Sequence, residues 1–270
     1  MAESRRHWLR VAAGVGVIAS ASQLVAQTAR ETWRVGFISN YPPFSQFNSS
    51  SQRLQGFDVD ILQAVAEHER MELHISHAHA PEVFQWLEQG KIDFIGNQIL
   101  ATPDMRERFI FAQGYVDLRL ILAQRENDER DFLSLEDFQG FKLGVLEGTA
   151  ADEQGSAVLG PDVLRFNSTA AGLQAVLAKR IDAFMDENLI LDHLIFQQGL
   201  AIKTTTPFSP AIRTGWALRP AQRALRERMN QSVAWLKTQG PIGRISRAWF
   251  GYDVSQERAG AVVITPPAKR

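Results

Sequence analysis

The chain has 270 residues, 45% of them hydrophobic, and a formal net charge of -1 at pH 7. That length accommodates one large domain or two ordinary lobes, and the balanced charge gives no electrostatic case for nucleic acid or a membrane surface as partner. Cysteine does not occur, which excludes disulfides, thiol catalysis, thiolate metal sites and a lipid-modified N-terminal cysteine.

The first residues read as an export signal. Arg5, Arg6 and Arg10 precede a mildly apolar Ala/Val/Gly run that ends among small residues. The run is too short and too rich in Gly, Ser and Gln for a stable transmembrane helix. Ser4-Arg5-Arg6-His7-Trp8-Leu9-Arg10 resembles a twin-arginine export signal; the alternative is an ordinary secretion signal with two incidental arginines. Residues 1–26 are therefore assigned to the signal, with cleavage after Ala21 or Ala26, and the mature protein is expected in the periplasm.

Strand-like and helix-like runs then alternate. Trp33 to Ile38 predicts a strand, and Gly56-Phe57-Asp58 opens a helix to about Arg70 with Ile61, Leu62, Val65 and Ala66 on one face. Met71 to Ser76 predicts a strand, Glu82 to Gln89 a helix stopped by Gly90, and Ile92 to Ile95 a further strand. This alternation indicates an α/β layered fold. It then recurs. EVFQWLEQGKIDFIG, from Glu82, and AGLQAVLAKRIDAFM, from Ala171, each place an amphipathic helix before a basic residue, Ile-Asp and an apolar strand. Upstream, WRVGFI and FKLGVL also correspond, so two lobes on one plan are expected. Val116 to Gln124 is β-rich, Arg125 to Arg130 a polar excursion, and Pro207 to Pro210 a break. Gly215 to Leu218 predicts a strand and Pro220 to Gln239 a helix with Leu225, Met229, Val233 and Leu236 as its apolar stripe.

Several short pieces, in order, carry a resemblance. They are Tyr41-Pro42-Pro43-Phe44, Gly56-Phe57-Asp58-Val59-Asp60, Gly90-Lys91-Ile92-Asp93, Asn97-Gln98, Thr102-Pro103 and Phe111-Ala112-Gln113-Gly114-Tyr115. They continue through Leu135 to Gly140, Gly144 to Thr149, Arg180-Ile181-Asp182-Ala183 and Trp249-Phe250-Gly251. Over about Trp33 to Tyr252 the chain resembles the family-3 extracytoplasmic solute-binding proteins, which deliver polar amino acids and related solutes to ABC importers. Asn97-Gln98 is similar to the cystine-binding branch. The resemblance implies a type II periplasmic-binding-protein-like fold, two α/β lobes joined by two crossover strands with the ligand in the cleft. It implies lobe 1 at 33–115 plus 214–253, lobe 2 at 116–213 and a loose tail at 254–270. Hinges would fall near Gly114-Tyr115 and Ser209 to Arg213, and ligand would favour a closed form contacted from both lobes.

A zwitterionic ligand needs an arginine and backbone N–H groups for its carboxylate and an acid for its ammonium. The position that is arginine in the family is Met105 here, and a position that is often a hydroxyl is Leu100. Arg106 is the candidate replacement, against a solvated surface role. Gly148-Thr149-Ala150 precedes a helix whose amides suit an anion, and Thr149 also suits a helix cap. For the ammonium the resemblance implies an acid just after the Ile-Asp-Ala strand, where the family's usual residue type favours Asp186 and the family's spacing Glu187, with the other of the two at the surface. Tyr41 is expected on the cleft floor, and Phe44 in the core. The expected ligand-binding set is thus Tyr41, Gln98, Thr102, Arg106, Thr149, Ala150, Asp186 and Glu187. Asp58 and Asp60 suit helix capping, and Asp93 and Asp182 recur as structural acids. His77 and His79 lie on one strand face with no accompanying acid–histidine pair on a helix, so neither metal nor cofactor is expected. The partners implied are a small polar solute and the membrane permease of an ABC importer, with the binding protein a monomer and not an enzyme. The alternatives are a degenerate binding or sensor module with altered ligand, and a dehydratase-like enzyme on the same scaffold, for which Glu187 with His79 would be an acid–base pair.

Overall fold

A computed structural model describes residues 31–160, 163–205, 209–256 and 262–263. The expected export signal, residues 1–26, lies outside them, as does part of the break at Pro207. In chain order the first elements are β1 (Thr32–Ile38), β2 (Asn40–Tyr41), β3 (Ser45–Asn48), β4 (Arg53–Gln55), α1 (Phe57–Glu69), β5 (Glu72–Ala78), α2 (Ala80–Glu88), β6 (Phe94–Leu100), α3 (Pro103–Arg108) and β7 (Ile110–Phe111). Next come β8 (Leu120–Arg125), β9 (Leu143–Leu146), α4 (Ala150–Leu159), β10 (Leu164–Phe166), α5 (Thr169–Leu177), β11 (Ala183–Glu187), α6 (Asn188–Gln198) and β12 (Ile202–Thr204). The last are β13 (Thr214–Leu218), α7 (Arg223–Thr238), α8 (Ile242–Phe250) and β14 (Val262–Val263).

Two sheets define two lobes. The first has strand order β5-β1-β6-β13-β7, the second β10-β9-β11-β8-β12-β14. In each, a central strand (β1 or β9) is parallel to both neighbours, and the next strand outward (β13 or β8) is antiparallel. The sequence repeat is therefore a structural repeat. Its matched aspartates perform the same task. Asp93 accepts from the Arg34 N–H at 2.9 Å and its own N–H donates to Arg34 O at 2.7 Å. Asp182 accepts from the Lys142 N–H at 2.9 Å and its N–H donates to Lys142 O at 2.9 Å. Each pair ties the turn before one strand to the start of a neighbouring one, satisfying backbone groups that the ladder leaves open.

The core of the first lobe is built by β1, α1 and β13 with α7 and α8, so the chain returns to it from Thr214 onward. Met229, Val233 and Leu236 bury the expected stripe of α7. The helix starts at Arg223, after a turn at Pro220, where the missing N–H of proline costs nothing. The tail was expected to be loose, yet Val262 and Val263 pair with Thr204 and Lys203 as an antiparallel edge strand. That pairing occupies the outer hydrogen-bonding edge of β12.

Two crossover segments join the lobes and touch each other: the Ile212 N–H donates to Leu118 O at 2.7 Å. Gly114 sits at this crossing. A Cβ there would lie 2.8 Å from Thr214 O and 3.3 Å from Gln98 Oε1, so only glycine lets the strands approach. A second bridge runs between α6 and α8. Tyr252 Oη donates to Asp192 at 2.5 Å, His193 Nδ1 lies 3.0 Å from Trp249 O, and Leu189 of α6 packs into the core of the first lobe.

Candidate functional site

The carboxyl ends of parallel strands are where α/β sheets present ligand-binding groups. β1 runs toward Tyr41, β9 runs into Gly148, β11 ends at Glu187, and Gln98 lies two residues before the end of β6.

Tyr41 lies on β2 and packs on Phe44 with ring centroids 4.9 Å apart. Phe44 is in the core, as expected. Gly56 holds this segment against α1: at φ 153° its Cα faces Phe44 O, which a Cβ would meet at 2.2 Å. The phenol of Tyr41 is pushed well above its ordinary pKa, first by burial and then by the negative charge of Glu187, Asp58 and Asp186. Two of those acids belong to the opposite lobe, so Tyr41 and the end of β11 share one cleft.

Asp58 does not cap α1. It is fully buried and accepts from Tyr115 Oη, from Asn97 Nδ2 at 3.1 Å and from the Gln98 N–H at 3.1 Å. Burial raises its pKa to about 7 against the opposing effect of those donors. Asp60 likewise has a tertiary role, accepting from Trp249 Nε1 at 2.8 Å. Through Asp58, α1 fixes the turn of β6 that carries Gln98 beside the crossover at Tyr115.

Gln98 Oε1 accepts from the Tyr115 N–H at 3.2 Å and from Thr214 Oγ1 at 2.9 Å. A backbone N–H can only donate, so the amide cannot be turned over. Its Nε2 is buried and has no acceptor among the described residues.

Asp186 and Glu187 were expected to divide between cleft and surface. Neither is at the surface. Asp186 is 3% exposed, and both its oxygens are engaged: Oδ2 by Thr169 Oγ1 at 2.6 Å and Oδ1 by the Glu187 N–H at 2.8 Å. Glu187 is the half-buried residue immediately before α6, and its Oε2 is shielded from solvent with no donor among the described residues. Burial, then repulsion from Asp186, raises its pKa to about 7. Thr169 and the adjoining amide thus hold Asp186 in place, and Glu187 is the acid left with unmet capacity.

The expected anion side is arranged differently from a guanidinium clamp. Thr102 is exposed and caps α3, accepting from the Met105 N–H at 3.3 Å. Met105 packs partly buried against Val83, Ile99 and Phe109 of the first lobe. Arg106 is exposed and folds back, its Nε donating to Ala101 O at 2.7 Å. Thr149 caps α4 and donates its hydroxyl to Leu146 O at 2.7 Å. Ala150 is the first residue of that helix, so the amides here precede its hydrogen-bond ladder. The Gly148 N–H already serves Asp152 Oδ2 at 3.1 Å, and Arg165 lies 2.9 Å from Asp152. A depression of about 450 Å³ borders Gly148, Thr149, Ala150 and Arg165. The structure thus brings Tyr41 near Asp186 and Glu187 and ties Gln98 to Asp58 beside them, lines a separate depression with Thr149 and Ala150, and turns Thr102 and Arg106 onto their own backbone. His77 stacks on Phe47 and meets Ser39 at 3.3 Å. Asp58, with its partners Asn97 and Tyr115, is the organiser that sequence reasoning missed.

A family model described as bacterial extracellular solute-binding proteins, family 3, matches residues 33–252. The chain is 26% identical over 247 residues to the L-cystine-binding protein TcyJ of Escherichia coli K12, covering 90% of this chain and 92% of that protein. It is 27% identical over 237 residues to an L-arginine-binding protein of Pseudomonas aeruginosa, covering 82% and 88%. Among solved structures it is similar to the unliganded, open L-cystine solute receptor of Neisseria gonorrhoeae, with a TM-score of 0.75 at 21% identity over 84% of this chain and 96% of the other. An ancestral cationic amino acid solute-binding protein gives a TM-score of 0.72 at 22% identity, covering 81% and 95%. These likenesses identify the fold as the two-lobed type II arrangement.

Proposed function

The chain belongs to the bacterial extracellular solute-binding proteins, family 3, and from that premise we propose that it captures a small polar solute between its lobes and hands it to the permease of an ABC importer. The single observation that carries the site is Glu187: a carboxylate oxygen withdrawn from water, without a donor, at the lobe junction beside Tyr41. A buried charge is tolerated only where something compensates it, and here a bound cationic group would do so. In this reading Glu187 pairs with the solute's positive end, Tyr41 lays its ring along it, and Gln98 Nε2 donates from the first lobe. The amides at Thr149 and Ala150 form the opposite wall. Asp186 positions Glu187 through the intervening amide and does not itself touch the solute.

The protein works outside the cytoplasmic membrane as a monomer after removal of residues 1–26, and it performs no chemistry on its cargo. Among the described residues no helix is long and apolar enough to cross a membrane. Solute closes the lobes because only the closed form presents both walls at once. A thermal-shift panel of cationic, zwitterionic, anionic and neutral polar solutes at millimolar concentration tests this. A micromolar binder at that level adds about 4 kcal/mol, an upward shift of several degrees. Silence from every class would refute the solute-binding reading.

A further inference from the structure

We infer, on the premise of that solute-binding reading, that the solute is an organic cation whose second polar end is a neutral hydrogen-bond acceptor: an amino-acid amide or an amino alcohol rather than a zwitterionic amino acid. Two buried polar atoms at the locus lack partners among the described residues, and they differ in kind. Glu187 Oε2, on the second lobe, is an acceptor that carries charge; Gln98 Nε2, on the first, is a neutral donor. Gln98 cannot reverse its amide, because Oε1 is held by the Tyr115 N–H. A solute that satisfies both offers a positive nitrogen to one lobe and a carbonyl, hydroxyl or ether oxygen to the other.

The charges around them oppose a carboxylate. Asp58 and Asp186 lie close enough, with Glu187, to raise the Tyr41 phenol. Of the guanidinium groups on the neighbouring segments, Arg213 before β13 is exposed to solvent, and three others are held by partners. Arg106 donates to Ala101 O, Arg119 to Ser209 O, and Arg165 to Asp152 and Ser156. Met105 is packed against the core of its own lobe. At the start of α4 the Gly148 amide is already occupied by the Asp152 carboxylate. A zwitterion would bring one matched and one mismatched charge; an amide or amine brings only the matched one.

Isothermal titration of the full chain at pH 8 with arginine, argininamide and agmatine separates these cases, because the three share a guanidinium and differ only in a free, masked or missing carboxylate. Alanine, alaninamide and ethylamine form a parallel series for small ammonium groups. In at least one series the amide is expected to bind tenfold or more tighter than the parent acid and tighter than the amine, which offers no acceptor to Gln98 Nε2, and Glu187→Gln to weaken the amide tenfold or more. Equal or tighter binding of the parent acid would overturn the inference and leave the solute-binding reading intact. So would binding of a neutral or anionic solute with silence from every cation. Silence from the whole panel would remove both.

Discussion

Glu187→Gln should stabilise the ligand-free protein while removing its affinity for a cation. The carboxyl of Glu187 is raised from 4.5 to about 7, chiefly by burial. That displacement corresponds to a cost on the order of 3 kcal/mol for holding the ionised form in the folded state. The sign follows from its direction. Below pH 4.5 the group is protonated in both the folded and the unfolded chain, and the ionisation cost is absent. Between pH 4.5 and 7 the unfolded chain ionises first, so stability falls as pH rises. Above 7 the whole cost is present. Glutamine is nearly isosteric and cannot ionise, so the variant escapes the cost, although its amide must find partners in the same place. We therefore expect a gain of about 1–3 kcal/mol at pH 8 that shrinks to near zero at pH 4.5. At roughly 2–4 °C per kcal/mol for a chain of this size, thermal melts at the two pH values resolve the difference. Urea titrations at the same two pH values give it directly as a change in midpoint at constant slope. A variant less stable than wild type at pH 8, or a difference independent of pH, would refute the argument that Glu187 stands as an uncompensated buried charge.

Three further outcomes follow from the same coordinates. Cation binding should weaken by roughly thirtyfold from pH 8 to 5.5 as Glu187 takes up a proton; Asp186 on its own strand and Tyr41 on β2 face it, with Asp58 on α1 near Tyr41, and a profile in Glu187→Gln as steep as in wild type would assign the effect to one of those groups instead. Tyr115→Phe removes the hydroxyl donor to the buried Asp58, which should cost about 1–3 kcal/mol in urea titrations and weaken solute binding through Gln98; unchanged stability would contradict the organising role of Asp58. Gly172→Ala places a Cβ about 2.1 Å from Phe184 on β11, an overpacking expected to cost roughly 1–3 kcal/mol; a neutral melt would show that α5 can move off the sheet.

The parts of the fold legible in the sequence were those written twice. The Ile-Asp pieces at Asp93 and Asp182 announced a repeat, and each aspartate bonds the basic residue of the corresponding upstream piece, Arg34 or Lys142. The family resemblance pointed to Tyr41 for the cleft floor and left Asp186 and Glu187 as alternatives for the acid. What the sequence did not reveal depends on contacts between distant segments. Asp58 has the sequence context of a helix start, where capping is the ordinary use of an acid. Its actual donors arrive from β6 and the crossover at Tyr115, and no local pattern marks them. Gln98 is fixed by that same crossover. The direction of Arg106 was equally open, since one step along a short helix decides between cleft and rim, and the chain resolves it by giving Met105 the apolar side. β14 is too short to carry an alternation and acquires its strand character only by pairing with β12.

The three acids at the lobe junction show why local chemistry alone could not assign the site. Each is a carboxylate withdrawn from water, and for each burial is the largest influence raising its pKa. They differ in what answers the burial. Asp58 has three donors and Asp186 has two, and both therefore fasten structure: one binds α1 to β6, the other ties α5 to the end of β11. Glu187 has an oxygen that nothing in the described chain answers. A protein that needed only to fold would gain by replacing it with a neutral residue, since a buried charge without a partner is a net cost. The cost becomes useful when an incoming cation removes it, because the energy released on pairing then favours the closed, solute-bound lobes over the open ones. On this view the unmet carboxylate couples binding to closure. The same residue should therefore set the affinity, its dependence on pH and the stability penalty of the unliganded protein.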